Sequence, residues 1–307
     1  MNPICELFGI EHPILLGGML YAGRARLAAA VSAAGGLGIL GAGRMKPDHM
    51  VAEIARVREL TQKPFGVNIP LRAPEPEALI NEALRASVKV FATSGGSPKK
   101  YIDQIKNEGA TIMQVVASVR QAVSAQAAGV DAIVAEGGES GGIVSRDLVS
   151  TLTLVPQVVD AVSVPVIAAG GIVDGRGMAA ALALGARGIQ MGTRFLACDE
   201  CDIAADYKEA LLMAGDTDTW VFRNASGVGR RTLKKELLEC AAQMVKEKGA
   251  EGALMAWTPE REEATHHGRA AGQGAGLVHA VLPAKEIIVS ILSEAGRVAK
   301  KVNEQLG

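Results

Sequence analysis

The chain has 307 residues and a mass of 31.8 kDa, 49% of its residues are hydrophobic, and its mean hydropathy is +0.20. This length and apolar content can bury a large core, in one large α/β domain with an appendage. The 32 basic and 33 acidic residues nearly cancel. That balance disfavours a nucleic-acid partner or a polybasic membrane anchor and favours a small neutral or anionic ligand.

The N-terminus and the cysteines favour an intracellular protein. The first residues show no basic segment followed by an apolar run, and no apolar stretch is long enough to span a bilayer. Cys5, Cys198, Cys201 and Cys240 are too few and too scattered for a disulfide scaffold. Cys198 and Cys201 have CxxC spacing, but a zinc site needs two further ligands that the sequence does not place. We therefore predict a soluble cytoplasmic chain without a metal site.

Short apolar runs alternate with helical patterns along the chain up to about Met213. The predicted strands cover residues 13–17, 37–40, 65–69, 88–92, 111–116, 132–135, 164–168 and 188–191. The predicted helices between them cover residues 24–34, 47–60, 76–85, 98–107, 119–127, 148–161 and 175–184. Strands that are apolar on both faces suit a parallel sheet covered by helices. The pattern predicts a (β/α)8 TIM barrel of the α/β class, with a doubly wound open sheet as the alternative.

The alternation ends after this barrel pattern. Residues 234–248 have the pattern of an amphipathic helix, 268–276 are rich in Gly and Ala around Gln273, and 283–305 form a terminal helical pattern. We predict a barrel over residues 1–214 and a small helical lobe over 215–275. The remaining residues, 276–307, are predicted to form a helix that packs back on the barrel.

Glycine-rich turns follow the seventh and eighth predicted strands, at Gly170-Gly171 and at Gly192-Thr193. Barrels of this class commonly bind phosphate in these two loops. Glycine lets backbone N–H groups approach phosphate oxygens, and Thr193 adds a hydroxyl donor. The two turns therefore predict a phosphate site, with ordinary barrel turns as the alternative.

The other strand ends carry groups that suit a planar heterocycle. The loop Glu136–Gly142 combines four glycines with two carboxylates and can lie flat against a cofactor, although a plain flexible loop is the alternative. Single Asn or Gln residues are more often packing residues, but several at strand ends favour a binding site. The strand-end candidates are Gly18, Met19, Asn68, Thr93, Gln114 and Glu136.

Together these motifs resemble the FMN-dependent family that contains enoyl-acyl-carrier-protein reductase II and the nitronate monooxygenases, also called 2-nitropropane dioxygenases. The resemblance covers most of the chain and implies non-covalent FMN. The motifs that carry it are Gly17–Met19, Ala34–Gly38, Lys63–Asn68, Ala135–Gly137 with Gly141-Gly142, Ala168–Ile172 with Asp174-Gly175, Gln190–Phe195, and Ala271–Gln273 with Ala275-Gly276.

The resemblance also implies roles for particular residues. The FMN phosphate would be held by Gly170, Gly171, Gly192 and Thr193. The ribityl chain and ring would be contacted by Gly18, Met19, Asn68, Glu136, Gly141 and Gly142. In the reductase branch, which the N-terminal half resembles more closely, NADH or NADPH reduces FMN and hydride passes to an enoyl thioester. In the monooxygenase branch, the flavin oxidises an alkyl nitronate and dioxygen completes the cycle.

One position departs from the family pattern. The motif beside the flavin usually reads Gly-Gly-His, with the histidine as acid or base, whereas this chain has Gly141-Gly142-Ile143. Isoleucine exchanges no proton, so the catalytic residue is unassigned. The candidates to replace the histidine are His266, His267, Glu139 and Ser145.

The predicted function is an FMN-dependent oxidoreductase resembling NAD(P)H-dependent enoyl-thioester reductase II. The alternative enzyme is a nitronate monooxygenase. Outside that class, the alternatives are a flavin-binding sensor or accessory protein that has lost turnover, and a barrel for another phosphorylated ligand. We expect a small-molecule substrate, either an enoyl thioester or a nitronate, and a homodimer.

Overall fold

Eight parallel strands form the central sheet of the computed structural model, which describes residues 2–223, 228–234, 246–247, 249 and 269–307. The strands are β1 (Ile14–Leu16), β2 (Gly38–Gly41), β3 (Phe65–Pro70), β4 (Val90–Ser94), β5 (Thr111–Val116), β6 (Ala132–Glu136), β8 (Val166–Ala169) and β9 (Gly188–Met191). Their order is β1-β9-β8-β6-β5-β4-β3-β2, and a parallel bridge between Leu15 and Leu37 brings the two ends together. The predicted TIM barrel is confirmed.

Helices cover the outside of the sheet, close to their predicted positions. They are α1 (Pro3–Phe8), α2 (Ala25–Ala33), α3 (Pro47–Leu60), α4 (Pro76–Arg85), α5 (Ile102–Asn107), α6 (Val119–Ala128), α7 (Thr151–Ala161), α8 (Gly175–Ala183), α9 (Thr193–Leu196) and α10 (Ala205–Leu212). Short 3-10 turns cover Pro98–Tyr101 and Gln273–Leu277, and a C-terminal helix covers Ala284–Leu306. None of the helices in the described residues is long and apolar enough to cross a membrane.

Helix α1 covers the N-terminal end of the barrel. Asn2 caps this helix, because its side chain accepts the N–H of Ile4, and Pro3 suits the first turn. Ile4 is fully buried, and a Cβ on Gly188 would lie 3.5 Å from its Cγ2 atom. The opposite, C-terminal end of the strands is thus the end at which a ligand can enter.

The C-terminal helix packs on the outside of the barrel beside α8. A Cβ on Gly175 would lie 2.4 Å from the backbone nitrogen of Ala295, and the Gly175 N–H donates to Glu294 at 2.7 Å. Ile287, Ile288 and Ile291 are buried on the facing side. The helix therefore contributes to the same hydrophobic core as the barrel.

A second, three-stranded antiparallel sheet lies beside the barrel, and the local sequence patterns do not predict it. It consists of β7 (Gly142–Val144), β10 (Thr219–Arg223) and β11 (Gly229–Leu233), in the order β10-β11-β7. The first of these strands belongs to the glycine-rich loop after β6, so the sheet connects that loop to the stretch predicted as a helical lobe. Most of the helix predicted at 234–248 lies outside the described residues, and the domain boundaries stay predictions.

Candidate active site

The strand register shows which residues face the barrel interior. A Cβ on Gly38 would lie 1.8 Å from the carbonyl oxygen of Ala28 in α2, so this position faces the helices. Side chains alternate along a strand, and Gly41, three residues further on, therefore faces the interior. Asn68 is the cross-strand partner of Gly41 and shares that face. The amide of Asn68 is thus directed into the C-terminal end of the barrel.

Glu136 and Gln190 lie on the same interior face. The register carries the face of Asn68 across β4 and β5 to Ala132 in β6, and alternation along β6 brings Glu136 to it. From Glu136 the register continues through β8 to Gln190 in β9. Asn68 and Gln190 are 5% and 8% exposed. Three polar side chains therefore line the interior near the C-terminal strand ends.

Thr93 and Gln114, two predicted cofactor residues, face the other way. They are register partners and directly follow Ala92 and Met113, which face the interior, so their own side chains face the helices. The Thr93 hydroxyl donates to the side-chain oxygen of Gln114. The side-chain nitrogen of Gln114 donates to the carbonyl oxygens of Gly96 and Val115, both at 3.1 Å. These hydrogen bonds satisfy both side chains within the protein and tie β4 to β5.

The glycine turns after β8 and β9 lie close to the segment that precedes the Gln273–Leu277 turn. Gly170 and Gly171 have φ angles of +101° and +72°, which side chains with a Cβ rarely adopt. The hydroxyl oxygen of Thr193 accepts the N–H of Gly272 at 2.9 Å. This hydroxyl can still donate its own proton. The predicted phosphate-binding residues therefore come from two turns that a third segment holds in place.

Gly18 and Met19 close one side of the mouth of the barrel, which is the opening at the C-terminal ends of the strands. A Cβ on Gly18 would lie 2.3 Å from Cγ of Asn68, so only glycine fits beside that amide. The sulfur of Met19 lies 3.5 Å from the position that a Cβ on Gly192 would occupy. The structure thus brings the loop after β1 into contact with the ends of β3 and β9.

Glu139 caps the N-terminus of α7. Its carboxylate oxygens lie 3.0 and 2.9 Å from the backbone nitrogen of Thr151, and the Thr151 hydroxyl is 3.0 Å from the nearer one. The same hydroxyl is 2.9 Å from the carbonyl oxygen of Gly170. The backbone oxygen of Glu139 accepts the N–H of Gln273 at 2.8 Å. Glu139 therefore holds together the loops after β6 and β8, a capping role that needs no catalytic function.

The other end of this loop is packed on one side and open on the other. A Cβ on Gly141 would lie 2.6 Å from the backbone nitrogen of Gly272, so only glycine permits the contact. Gly142 has a φ of +75°, and no atom lies within 4 Å of the position that a Cβ would occupy there. Ile143 follows in β7, opposite Arg230, with 62% of its surface exposed. The loop thus presents bare backbone and an apolar side chain at the mouth.

Glu136 is half-buried at the start of the loop. Burial raises the pKa of its carboxyl from 4.5 to about 7, and the nearby Ser140 hydroxyl opposes that rise. Ser140 is 8% exposed, and its hydroxyl oxygen makes no hydrogen bond of ordinary geometry to any described residue. A carboxyl and a hydroxyl with unused hydrogen-bonding capacity thus lie together near the mouth.

Arg231 of β11 supports the same loop from the second sheet. Its guanidinium donates to the carbonyl oxygen of Gly138 at 2.8 Å and to the hydroxyl of Thr219 at 3.3 Å. The residue is 6% exposed, and burial lowers its pKa. Arg231 and Thr151 were not predicted from the sequence, because long-range folding brings them to the loop and neither belongs to a local motif.

The remaining sequence candidates lie elsewhere or outside the described residues. The Ser145 hydroxyl accepts the N–H of Leu148 at 3.2 Å within a local turn. His266 and His267 lie outside the described residues. Cys198 and Cys201 are buried and unpaired, and burial raises their pKa values to about 12 and about 11. Both therefore remain protonated thiols near neutral pH.

An eight-stranded barrel with glycine turns after its last two strands and polar side chains at its C-terminal mouth is the architecture of a phosphate- or cofactor-binding TIM-barrel protein. Comparison with known proteins narrows this class. The family model described as nitronate monooxygenase matches residues 2–85 and 77–294. The chain belongs to the nitronate monooxygenase family, as its motifs predict, and is a flavin-dependent oxidoreductase.

Individual relatives extend the similarity over nearly the whole chain. FabK from Thermotoga maritima is 42% identical, with a TM-score of 0.90 and 99% of each chain covered. The nitroalkane oxidase from Streptomyces ansochromogenes is 28% identical, with a TM-score of 0.84 and coverage of 97% of this chain and 99% of the other.

Sequence relatives include enzymes with two different names. A protein of Mycobacterium tuberculosis called (3aS,4S,5R,7aS)-5-hydroxy-7a-methyl-1-oxo-octahydro-1H-indene-4-carboxyl-CoA dehydrogenase is 39% identical over 256 residues, which are 82% of this chain and 72% of that protein. A probable nitronate monooxygenase of Staphylococcus haemolyticus is 34% identical over 287 residues, with coverage of 79% of this chain and 80% of the other.

Proposed function

We propose that this chain binds FMN at the C-terminal mouth of the barrel and reduces an α,β-unsaturated thioester, with NADH or NADPH as the electron donor. The observation that carries the proposal is that one segment contacts both glycine turns: the Gly272 N–H donates to the Thr193 hydroxyl at 2.9 Å, and a Cβ on Gly274 would lie 3.2 Å from the carbonyl oxygen of Gly171. FMN, when bound, supplies the two-electron redox chemistry. The protein supplies the position, the electrostatics and the proton.

The residues of the mouth fit FMN. Backbone without Cβ atoms at Gly170, Gly171 and Gly192, together with the Thr193 hydroxyl, can donate several hydrogen bonds to a phosphate. Gly18, Met19, Asn68 and Glu136 would lie along the ribityl chain and ring, with Gly141 and Gly142 beside the ring. The buried Ser140 hydroxyl lies near Glu136 but makes no hydrogen bond of ordinary geometry in the described chain, which is expected where a polar ligand completes the hydrogen bonding. Thr93 and Gln114 would support the site through the hydrogen bonds that join β4 to β5.

The thioester substrate is supported by the identity to FabK over the full chain and by the identity to the CoA-thioester dehydrogenase. The open face of Gly142 and the exposed side chain of Ile143 also favour an apolar substrate at this point, since neither presents a charge. In this proposal Ile143 packs against the acyl part of the substrate and exchanges no proton.

Anaerobic stopped-flow absorbance tests the proposal on the FMN-loaded protein. Mixing with NADH or NADPH should bleach the flavin absorbance, and subsequent addition of an enoyl-CoA should restore it. Absence of bleaching by either nucleotide, or absence of reoxidation by crotonyl-CoA and by longer enoyl-CoA esters, would contradict the reductase function.

A nitronate monooxygenase is the second candidate. It is favoured by the identity to the staphylococcal relative and to the nitroalkane oxidase. The same stopped-flow measurement separates the two functions: bleaching of the flavin by an alkyl nitronate and not by NADH or NADPH supports this candidate.

We also propose a cytoplasmic homodimer whose substrate contacts come in part from residues 215–275. Light scattering of the purified protein tests the dimer.

A further inference from the structure

We propose that Glu136 is the catalytic residue that exchanges a proton with the substrate, paired with the hydroxyl of Ser140, in the role that Ile143 cannot fill. This inference rests on the proposed function and assigns the acid of that same site. Glu136 lies on the interior face of the barrel at the last residue of β6. It therefore lies among the groups proposed to hold FMN.

The hydrogen bonding of the loop separates Glu136 from Glu139. Glu139 is occupied by the backbone and hydroxyl of Thr151 and caps α7. The Glu136 carboxyl makes no ion pair within the described residues, and the polar neighbour that acts on it is the Ser140 hydroxyl. The Ser140 hydroxyl is more than nine-tenths buried and makes no hydrogen bond of ordinary geometry to any described residue. A carboxyl and a buried hydroxyl that have only each other as polar neighbours are expected where substrate or cofactor supplies further contacts.

The other candidates lack one of these properties. The hydroxyl of Ser145 accepts a local N–H in the turn that ends at Leu148, outside the interior face. Arg231 donates to the backbone of Gly138 and carries no exchangeable proton near neutral pH. Glu136 is thus the one titratable side chain of the described barrel strands that combines the interior face with unused hydrogen-bonding capacity.

The local electrostatics suit proton exchange near neutral pH. Among the described residues, the charged side chains beside the loop are Arg231 and Arg230 from β11, whose strand pairs with β7, and Glu139 of the loop itself, which is bound at the start of α7. Burial, and not either of these charges, is the main cause of the raised pKa of Glu136, which lies at about 7. A group with such a pKa holds its proton for about half of the time at neutrality and can both release and recover it.

The chemistry balances with groups already named. Reduction of the carbon–carbon double bond of an enoyl thioester adds a hydride at the β-carbon and a proton at the α-carbon. The O–H bond of the Glu136 carboxyl breaks, a C–H bond forms at the α-carbon, and water returns a proton to the carboxylate. The hydride originates from the nicotinamide donor.

The first test reads the proton without turnover. Infrared difference spectra of the purified protein between about pH 5 and pH 9 should show a protonated carboxyl band that disappears with a midpoint near 7. The band should be lost in Glu136→Gln and retained in the matched variant Glu139→Gln. Persistence of the band in Glu136→Gln, or its absence from the wild-type protein, would overturn the assignment.

The second test uses the FMN-loaded enzyme. At saturating FMN, Glu136→Gln should lose about 10²–10⁴ in kcat, together with the inflection near neutral pH in kcat/KM. Wild-type kcat with an unchanged pH profile in Glu136→Gln overturns the proposal, as does loss of the inflection in a His266→Ala/His267→Ala variant with Glu136 intact. If the wild-type protein binds FMN but reduces no enoyl-CoA, the proposed function fails. In that case the infrared titration still tests whether Glu136 is the group that carries the proton.

Discussion

Removal of the Glu139 side chain should destabilise the protein and weaken the site together. In Glu139→Ala, the Thr151 N–H loses two carboxylate contacts of 3.0 and 2.9 Å, and the Thr151 hydroxyl loses one of 3.0 Å. Loss of an N-cap costs about 0.5–2 kcal/mol, and a hydrogen bond to a charged group contributes about 1.5–3 kcal/mol. We therefore expect the free energy of unfolding to fall by about 2–3 kcal/mol.

Urea denaturation followed by circular dichroism measures this change, with Glu139→Gln and Glu209→Ala as comparison variants. The amide oxygen of Glu139→Gln can still accept the Thr151 N–H, so a loss of about 1 kcal/mol is expected. Glu209 is exposed on α10, and its replacement should change stability by less than about 0.5 kcal/mol. A change in Glu139→Ala no larger than that of Glu209→Ala would refute the capping role. FMN affinity should fall in parallel with stability, because Glu139 ties the loops after β6 and β8 together.

Three further substitutions follow from the geometry. Gly18→Ala should weaken FMN binding at least tenfold by fluorescence titration, since its Cβ would lie 2.3 Å from Cγ of Asn68, whereas Gly296→Ala, with nothing within 4 Å in the C-terminal helix, should bind normally. Gly170→Ala should destabilise the protein by about 1–2 kcal/mol in urea, because φ there is +101°. The pKa of the Glu136 carboxyl is about 7 in the folded protein and 4.5 in the unfolded chain. The free energy of unfolding should therefore fall by about 3 kcal/mol as the pH rises from below the lower value to above the higher one. Glu136→Gln should lack this fall and be the more stable protein at about pH 8, and identical pH dependence of the two proteins in urea titrations would contradict it.

The barrel was predictable because its signals are local. Eight apolar runs, seven intervening helices and the glycines after the last two strands all lie in short segments, and the structure has them within a few residues of their predicted positions. The capping and turn residues, such as Asp174 before α8, are also local signals. Fold, family and the position of the glycine turns could therefore be derived before the structure.

The roles of the polar residues were not predictable in the same way. Whether Thr93 and Gln114 face the interior depends on one step of strand register, and the structure places them on the helix-facing side. The capping role of Glu139 depends on Thr151, twelve residues away in another element. Strands β10 and β11 have mixed polar and apolar residues without a clear period, and Arg231 reaches the loop only through their pairing with β7.

The flavin content of the purified chain tests the central claim most directly. Heat denaturation should release a yellow compound that chromatography and mass spectrometry identify as FMN, at one per chain, or the colourless protein should take up FMN on titration. The variant Gly171→Val, at a φ of +72° with a Cβ position 3.2 Å from Cβ of Glu139, should bind far less. A chain that neither carries nor takes up FMN, or a Gly171→Val protein that binds as well as wild type, would contradict the site at the barrel mouth.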